Sequence, residues 1–231
     1  MPENSANSPF RCLAIETATQ RGSVAVCDGD AVFQVQLDEA TGSSRQIYRA
    51  IAEALDRASL QRQDLQCIAF GNGPGSFTGV RVATSVAQAL AFALAIPVIP
   101  VSTLAAIAVE AGRSRGMEPV AACLDARMGE VYCGVYGFAA DGTAQALLED
   151  QLADPTAFSL ADYPGAFAAG PGWTAYPELL AANAGHIAGE ATDIWPGAAA
   201  VAVEARELFR QGRTVVAHDA LPNYIRNNVT Y

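Results

Sequence analysis

The sequence predicts an α/β fold of two lobes, each built from a β-β-β-α-β-α unit. Short apolar strands alternate with helical segments along the first half of the chain, from residue 10 to residue 112. A strand that ends in an acidic residue, a turn and a second strand occur together at residues 10–27, and the same order returns at residues 119–138. Such an internal repeat indicates a duplicated lobe.

Length and composition agree with this organisation. The 231 residues, 51% hydrophobic and 16% charged, suit one compact domain of two lobes. We expect a disordered leader at residues 1–9, a first lobe at residues 10–103 and a second lobe at residues 104–231. A helix at about residues 198–210 is expected in the second lobe, and it can pack back on the first.

The charge balance excludes several function classes. The chain carries 24 acidic and 14 basic residues, a formal net charge of −10. Because phosphate contacts need clustered lysine and arginine, this balance argues against nucleic-acid binding by the chain alone.

Five cysteines, mostly in apolar segments, indicate buried reduced thiols in a cytoplasmic protein. No apolar run of 18 residues is free of charge and proline, so no membrane association is predicted.

The first strand, residues 10–15, leads to Glu16 and a hydroxyl-rich turn, and strands at residues 23–27 and 31–37 form a hairpin. A carboxylate after a first buried strand, followed by such a turn, is how the actin-like ATPase fold (a ribonuclease H-like fold) begins. There the acid orients metal-bound water and the turn wraps phosphates. The alternative is that Glu16, one methylene longer than the aspartate usual in that setting, only hydrogen-bonds to the neighbouring loop.

A helix is predicted from Ser43 or Ser44, either of which can cap its N-terminus, to about Ser59. Its apolar residues follow helical spacing: Ile47, Ala50, Ile51, Ala54, Leu55 and Ala58. Arginine and glutamate occupy the opposite side, which indicates a solvated face or the rim of an interface.

Residues 71–81 read Gly-Asn-Gly-Pro-Gly-Ser-Phe-Thr-Gly-Val-Arg and lie between a strand at residues 67–70 and a long helix. A strand, a glycine-rich turn and a helix N-terminus can bind an anion through unpaired amides and the helix dipole. The alternative is that the glycines only let two elements cross closely. The sequence lacks the usual phosphate-binding fingerprints, and Ser76 does not lie in a Gly-x-Ser-x-Gly nucleophile elbow.

The helix that follows Gly79 and ends before Pro97 is apolar on nearly all sides. Residues four apart form one column of very small side chains: Gly79, Ala83, Ala87 and Ala91. A second apolar stripe consists of Val82, Val86, Ala89 and Ala93, and the first is widened by Val80, Leu90 and Leu94. This is either an ordinary core helix, or a helix with one face on its own sheet and the other on a partner protein.

The second half opens with a strand at residues 119–125, a turn that includes Arg127, and a strand at residues 131–138. Asp125 and Arg127 either face a nucleotide, as in the actin-like fold, or form a buried ion pair or turn contact.

Residues 141–196 show weak periodicity, and a helix at residues 198–209 and an extended segment at residues 221–227 follow. His186 and His218 are isolated and no Cys-x-x-Cys is present, so no metal site is predicted.

Four motifs make the chain resemble the bacterial TsaB (YeaZ) family. They are Gly-Pro-Gly-Ser-Phe-Thr-Gly-Val-Arg at residues 73–81, Val-Ser-Thr-Leu at 101–104, Asp-Ala-Arg-Met-Gly-Glu-Val-Tyr at 125–132 and Leu-Pro-Asn-Tyr-Ile-Arg-Asn at 221–227. The resemblance implies the actin-like two-lobed fold. It also implies action with a TsaD-like paralogue and a TsaE-like ATPase. Together these install threonylcarbamoyl on N6 of adenosine 37 in tRNAs that read codons beginning with A.

In that assembly the resemblance implies a non-catalytic scaffold and activator that meets tRNA only through the complex. The catalytic paralogue carries metal-ligand histidines, as His-x-x-x-His, on the helix that corresponds to the one starting near Ser43. This chain has no histidine there. No cofactor is therefore expected on this chain, whereas the complex uses ATP and Mg²⁺.

The resemblance also implies that the helices near residues 43–58 and 79–95 pair with a second copy, as a homodimer, or with the TsaD-like partner. The expected interface residues are Ser43, Ile47, Tyr48, Ile51, Gly75, Phe77, Thr78, Gly79, Val82, Ala83, Val86, Ala87 and Leu90. Gly79, Ala83 and Ala87 are expected to face, or closely support, the partner surface. A vestigial nucleotide site would consist of Glu16, Thr17, Gly73, Asp125 and Arg127, without metal ligands.

Two enzyme classes compete with the scaffold interpretation. A small-molecule kinase or ATPase of the actin-like superfamily would use Glu16, the turn at residues 17–23 and Asp125 around a magnesium nucleotide. A peptidase would need zinc ligands or a base near Ser76, and the two isolated histidines support neither.

Overall fold

The computed structural model describes residues 9–38, 43–115 and 119–225. The first of its two sheets contains β1 (Arg11–Glu16), β2 (Ser23–Asp28), β3 (Ala31–Gln36), β4 (Cys67–Gly71) and β5 (Val98–Val101). The strand order is β3-β2-β1-β4-β5, with β1 antiparallel to β2 and parallel to β4. Leu13 pairs with Val26 and Ile15 with Val24, so the large apolar side chains of both strands share one face.

The second sheet repeats this topology. It contains β6 (Val120–Arg127), β7 (Glu130–Phe138), β8 (Ala144–Ala153), β9 (Ala166–Ala169) and β10 (Ile187–Ala191). Its order, β10-β9-β6-β7-β8, is that of the first sheet with the corresponding strands in the same places. The same order in both sheets is the structural counterpart of the internal repeat in the sequence.

Four long helices cover the first sheet. On one face lie α1 (Ser43–Ala58) and α2 (Phe77–Leu94), whose apolar residues share a core with Leu13, Ile15 and their neighbours. On the other face lie α3 (Thr103–Arg115) and α6 (Ala198–Arg210), packed on alanine and cysteine side chains of β1, β2 and β4 and on Ile99 and Val101 of β5. Helix α6 comes from the end of the chain, so the C-terminal segment helps to build the first core.

Helix α3 joins the two lobes. Its residues Ala106 and Val109 pack in the core of the first sheet, whereas Leu104, Ile107 and Ala111 pack against the second sheet. The far side of the second sheet is covered by short helices, α4 (Gly172–Ala175) and α5 (Pro177–Asn183), around the buried Trp173.

Hydrogen bonds also connect the two lobes, near the start of α3 and at the start of β8. Ser102 caps α3 and donates a 2.6 Å hydrogen bond to Asp150, which also accepts one from Tyr136. On α6, Glu204 accepts hydrogen bonds from the amide of Ala144 at the start of β8. The lobes are therefore held by packing on both sides of α3 and by hydrogen bonds to the carboxylates of Asp150 and Glu204.

The second lobe departs from the predicted repeat in one respect. Residues 154–165, which follow its third strand, form turns where the first lobe has α1. The weakly periodic residues 141–196 contain three strands and two short helices. Helix α2 begins at Phe77, two residues before the predicted start, because Ser76 caps it by accepting from the amide of Gly79.

Some predictions fall on parts of the chain outside the described residues. They concern the leader before Pro9, the side chains of Ser43 and Ser44, and residues 226–231. The five cysteines are all described, buried and free of disulfides.

Candidate functional site

The glycine-rich loop crosses the first lobe at very short range. A Cβ atom at Gly75 would overlap the carbonyl of Ala18, and one at Gly79 would overlap the carbonyl oxygen of Thr17. Ser76 donates its amide to the carbonyl of Ala18 at 2.7 Å, and the Thr17 hydroxyl donates to the carbonyl of Gly79. These contacts agree with the interpretation in which the glycines let two elements cross closely, because no side chain fits between them.

Glu16 lies under this loop and is fully buried, with 0% exposure. Its Oε1 accepts from the amide of Ala18 at 2.6 Å, and its Oε2 accepts from the hydroxyl of Thr103 at 3.2 Å. A side chain at Gly71 would overlap this carboxylate. Glu16 therefore bonds to its neighbouring loop and to the start of α3, as the structural alternative predicted.

Burial raises the pKa of Glu16 from about 4.5 to about 7, because the charged form loses water that the two donors only partly replace. A carboxyl whose pKa is higher in the folded state stabilises the fold below its unfolded pKa, and this stability is lost as the pH rises through about 7. The shift corresponds to about 3 kcal/mol.

We expect the free energy of unfolding to fall between pH 4.5 and pH 8, and the Glu16→Gln variant to show a smaller fall by roughly 3 kcal/mol. Denaturant unfolding across this range measures both slopes. Glu204 retains its own pKa of about 7 in the variant, so some pH dependence must remain. Equal slopes for the two proteins would contradict this account of Glu16.

The small-residue column of α2 points into its own lobe. Ala83 and Ala87 have no exposed surface and pack in the core with Leu13 and Ile15. Ile47 and Ile51 of α1 and Val86 of α2 are buried in the same core. Of the two expected positions, facing a partner or closely supporting its surface, this burial leaves the supporting one, because the lobe's own β-sheet occupies the column. They support the outer face only from beneath.

The outer face of α1 and α2 keeps a set of exposed apolar side chains. Phe92 is 83% exposed and Tyr48 is 60% exposed. Val82 and Leu90 are partly buried and pack against the core, and Phe77 and Thr78 are exposed at the start of α2. We call Tyr48 and Phe92, the mostly exposed aromatic side chains of α1 and α2, the outer patch.

By length and composition α2 could also cross a membrane. The same test is passed by a core helix of a globular protein, and the burial of Ala83, Ala87 and Ala91 on the first sheet is that of a core helix. Its apolar character is therefore explained by a sheet on one side and the outer patch on the other.

A cleft of about 920 Å³ lies between the lobes. The first lobe contributes residues 18–20, residues 74–77, Val80 and Arg81. The second contributes residues 124–128, Tyr132, Pro171, Thr174 and Ala175. The extended C-terminal segment closes one side, with Asn223, Tyr224 and Ile225 in the lining. This segment is anchored by the amide of Asn223, which donates to the carbonyl of Asn72 at 2.7 Å.

Two arginines line the cleft, Arg81 from the first lobe and Arg127 from the second. The guanidinium of Arg81 lies 3.5 Å from the ring centre of Phe77, and its Nε donates to the hydroxyl of Tyr224 at 2.8 Å. Arg127 forms an ion pair with Asp125 at 3.1 Å, and Asp125 also accepts from the hydroxyl of Tyr176 at 3.0 Å. The cleft thus combines guanidinium groups with aromatic rings.

Of the five residues expected for a vestigial nucleotide site, Asp125 and Arg127 line the cleft. Glu16, Thr17 and Gly73 are buried and are not among its lining residues, although Ala18 and Pro74, next to Thr17 and Gly73, are. Within the described ranges, no three or more His, Cys, Asp or Glu side chains are placed to hold a metal ion. Glu16, which in the nucleotide alternative would orient metal-bound water, is covered by the backbone of Gly71.

Sequence reasoning missed several residues that the structure places at these two surfaces: Phe92, Arg81, Tyr224, Met128 and Trp195. Arg81, Met128 and Tyr224 lay inside the quoted motifs without an assigned place. Phe92 was the missed signal on α2, because it is the one large aromatic residue in a stretch of alanine, valine and leucine.

Comparison with known proteins gives a consistent picture. The family model described as "TsaD: tRNA N6-adenosine threonylcarbamoyltransferase" matches residues 39–230. The TsaB protein of Escherichia coli, described as a tRNA threonylcarbamoyladenosine biosynthesis protein, is 34% identical over 96% of this chain and 97% of its own length. The TsaB protein of Haemophilus influenzae is also 34% identical, over 95% of this chain and 94% of its own length.

Solved structures agree. YeaZ from Pseudomonas aeruginosa is 33% identical and superposes with a TM-score of 0.86, covering 93% of this chain and 99% of that chain. A second structure, titled as an uncharacterized protein similar to peptidase YeaZ from Pseudomonas aeruginosa, gives a TM-score of 0.87 at 32% identity, covering 94% of this chain and 100% of that chain. The predicted fold class, a two-lobed actin-like fold, is confirmed.

Proposed function

This chain belongs to the TsaB (YeaZ) family, and from that membership we propose that it is a non-catalytic partner subunit in tRNA threonylcarbamoyladenosine biosynthesis. It takes part in that pathway as the relatives that it matches along almost their whole length do. Its role is to bind and activate a TsaD-like paralogue, which works with a TsaE-like ATPase on adenosine 37 of tRNA.

The outer patch carries this proposal. Phe92 and Tyr48 expose large aromatic surfaces on two adjacent helices whose inner sides are already packed on a sheet. Exposed aromatic residues of this kind are enriched at protein–protein interfaces and often dominate their binding energy. A helical partner that lies across α1 and α2 would bury this surface, and a second copy of the chain is a competing occupant of the same face.

Burial and charge support a role without chemistry or direct tRNA binding. Glu16 is inaccessible, and Asp125 already accepts from Tyr176 and pairs with Arg127, which weighs against a magnesium nucleotide on these carboxylates. The net charge of −10 disfavours direct contact with tRNA. ATP, Mg²⁺ and tRNA are therefore handled by the other subunits, in the cytoplasm where tRNA is modified.

An actin-like nucleotide enzyme is the second candidate, because a cleft of about 920 Å³ lies at the place where such enzymes bind nucleotide. The buried positions of Glu16, Thr17 and Gly73 weigh against it. A peptidase has less support. The hydroxyl of Ser76 accepts from the amide of Gly79 as a helix cap, and no metal cluster occurs in the described part of the chain.

The proposal is tested by omission. Threonylcarbamoyl transfer is reconstituted from the TsaD-like and TsaE-like proteins, tRNA and a threonylcarbamoyl-adenylate source, and adenosine 37 is analysed by mass spectrometry. We expect modification to require this chain, while the chain alone neither hydrolyses ATP nor modifies tRNA. Unchanged modification without it would refute the partner role, and ATP turnover by the chain alone would favour the enzyme.

A further inference from the structure

The cleft between the lobes has the size of a small-molecule site. Its volume of about 920 Å³ lies within the range of about 300–1,000 Å³ that is typical of ligand pockets. Both lobes and the C-terminal segment line it, so a bound ligand would touch all three parts of the chain. The outer patch does not line this cavity, so the proposed partner contact gives the cavity no role.

The charged groups of the cleft favour an anion. Arg81 enters from the first lobe and Arg127 from the second, and among the described lining residues Asp125 is the single acid. Asp125 accepts from the amide of Arg127 at 2.7 Å in addition to its side-chain partners, so its charge is largely compensated. Two arginines against one aspartate leave one net positive charge on the described lining, in a chain of net charge −10.

The remaining lining favours a planar ring. Phe77 and Tyr224 flank the guanidinium of Arg81, with their ring centres 3.5 Å and 5.6 Å from it. Tyr132 and Trp195 add two more aromatic side chains to the lining. A planar ligand can stack on such faces while its charged group meets a guanidinium.

On the second-lobe side of the cleft, the apolar side chain of Met128 extends from a left-handed backbone conformation. Arg127 and Met128 have φ values of 61° and 57°, a left-handed region that costs energy for residues other than glycine. This tight hairpin turn holds Met128 at the cleft with 70% of its surface exposed. A flexible thioether at this position suits contact with the face of a ring.

A magnesium triphosphate does not match these groups. Glu16 is fully buried and does not line the cleft. Asp125, the single acid among the described lining residues, is paired with Arg127. We propose that the cleft binds a planar aromatic anion with a single phosphate group and without a metal ion, held between Arg81 and Arg127. Such a site is independent of the partner role, since the outer patch lies on the outer face of α1 and α2.

Calorimetric titration of the full chain tests this site with AMP and phenyl phosphate as probes, and with adenosine and inorganic phosphate as their separate halves. We expect saturable binding of at least one aromatic phosphate, about tenfold or more tighter than either half. Quenching of Trp195 fluorescence, which is lost in Trp195→Phe, places the ligand in the cleft. Preference for AMP over phenyl phosphate would identify a nucleotide, and equal binding would identify aromatic anions in general.

Arg127→Gln should weaken binding about tenfold or more, because it removes a charge-assisted hydrogen bond. The side chain of Arg127 is largely exposed, so the variant should fold normally. Arg62→Gln, an exposed arginine outside the cleft, is the matched control and should bind as the parent does. The site is refuted if no aromatic phosphate saturates by about 5 mM, if Arg127→Gln binds equally, or if ATP with Mg²⁺ binds more tightly than AMP.

Discussion

Replacing Tyr48 and Phe92 together by arginine is expected to abolish stable association with the TsaD-like partner, with a loss of affinity of at least about 100-fold. Both side chains are mostly exposed, at 60% and 83%, so the fold loses little when they change. A helical partner would have to bury two unpaired charges in place of two aromatic rings, which is costly in a desolvated interface.

Co-purification and calorimetry with the partner measure this loss, and unfolding curves show that the variant remains folded. Leu147→Arg is the matched control, because Leu147 is a half-exposed apolar residue on β8, away from α1 and α2. Leu147→Arg should bind normally. Normal binding by the double variant would exclude the outer patch as the contact surface. Ala83→Arg cannot serve here, because Ala83 is buried in the core.

Gly79→Ala is expected to destabilise the fold by about 4 kcal/mol or more, which is exceptional for the addition of one methyl group. The added Cβ would overlap the carbonyl oxygen of Thr17, a backbone atom that cannot rotate away. Thr17 is in turn fixed, because its hydroxyl donates to the carbonyl of Gly79 at 2.7 Å. Helix α2 would have to separate from the loop after β1 to make room.

Denaturant unfolding measures the change in stability. Gly185→Ala is the matched control, since no atom lies within 4 Å of a Cβ built there, and its effect should stay within about 0.5 kcal/mol. A similarly small effect at Gly79 would show that the close crossing is not what requires glycine, and would favour the anion-binding interpretation of the loop.

The order of strands and helices could be predicted because periodicity and turn residues report local structure. Short apolar runs predict the strands before Glu16 and Asp125, and apolar spacing, capping and proline predict the helices before Ser59 and Pro97. Residues 141–196 could not be predicted in this way. Their strands are mostly half-exposed, and small residues such as those of Ala166–Ala169 give little hydrophobic contrast.

The orientation of α2 also lay beyond the sequence. An apolar pattern on all sides does not say which side faces the sheet, and small residues suit both a partner helix and the lobe's own backbone. The contact of Gly79 with Thr17, 62 residues earlier in the chain, decides the question. The cleft was equally hidden, because Arg81, Arg127 and Tyr224 meet there only after the lobes and the C-terminal segment have packed.

The central claim is that this chain acts through its outer patch on a catalytic partner. The most direct measurement compares adenosine 37 modification in reactions that contain the parent chain, the Tyr48→Arg, Phe92→Arg double variant, or no chain. We expect full modification with the parent and the same background level in the other two reactions. Full modification with the double variant, or with no chain present, would contradict the claim.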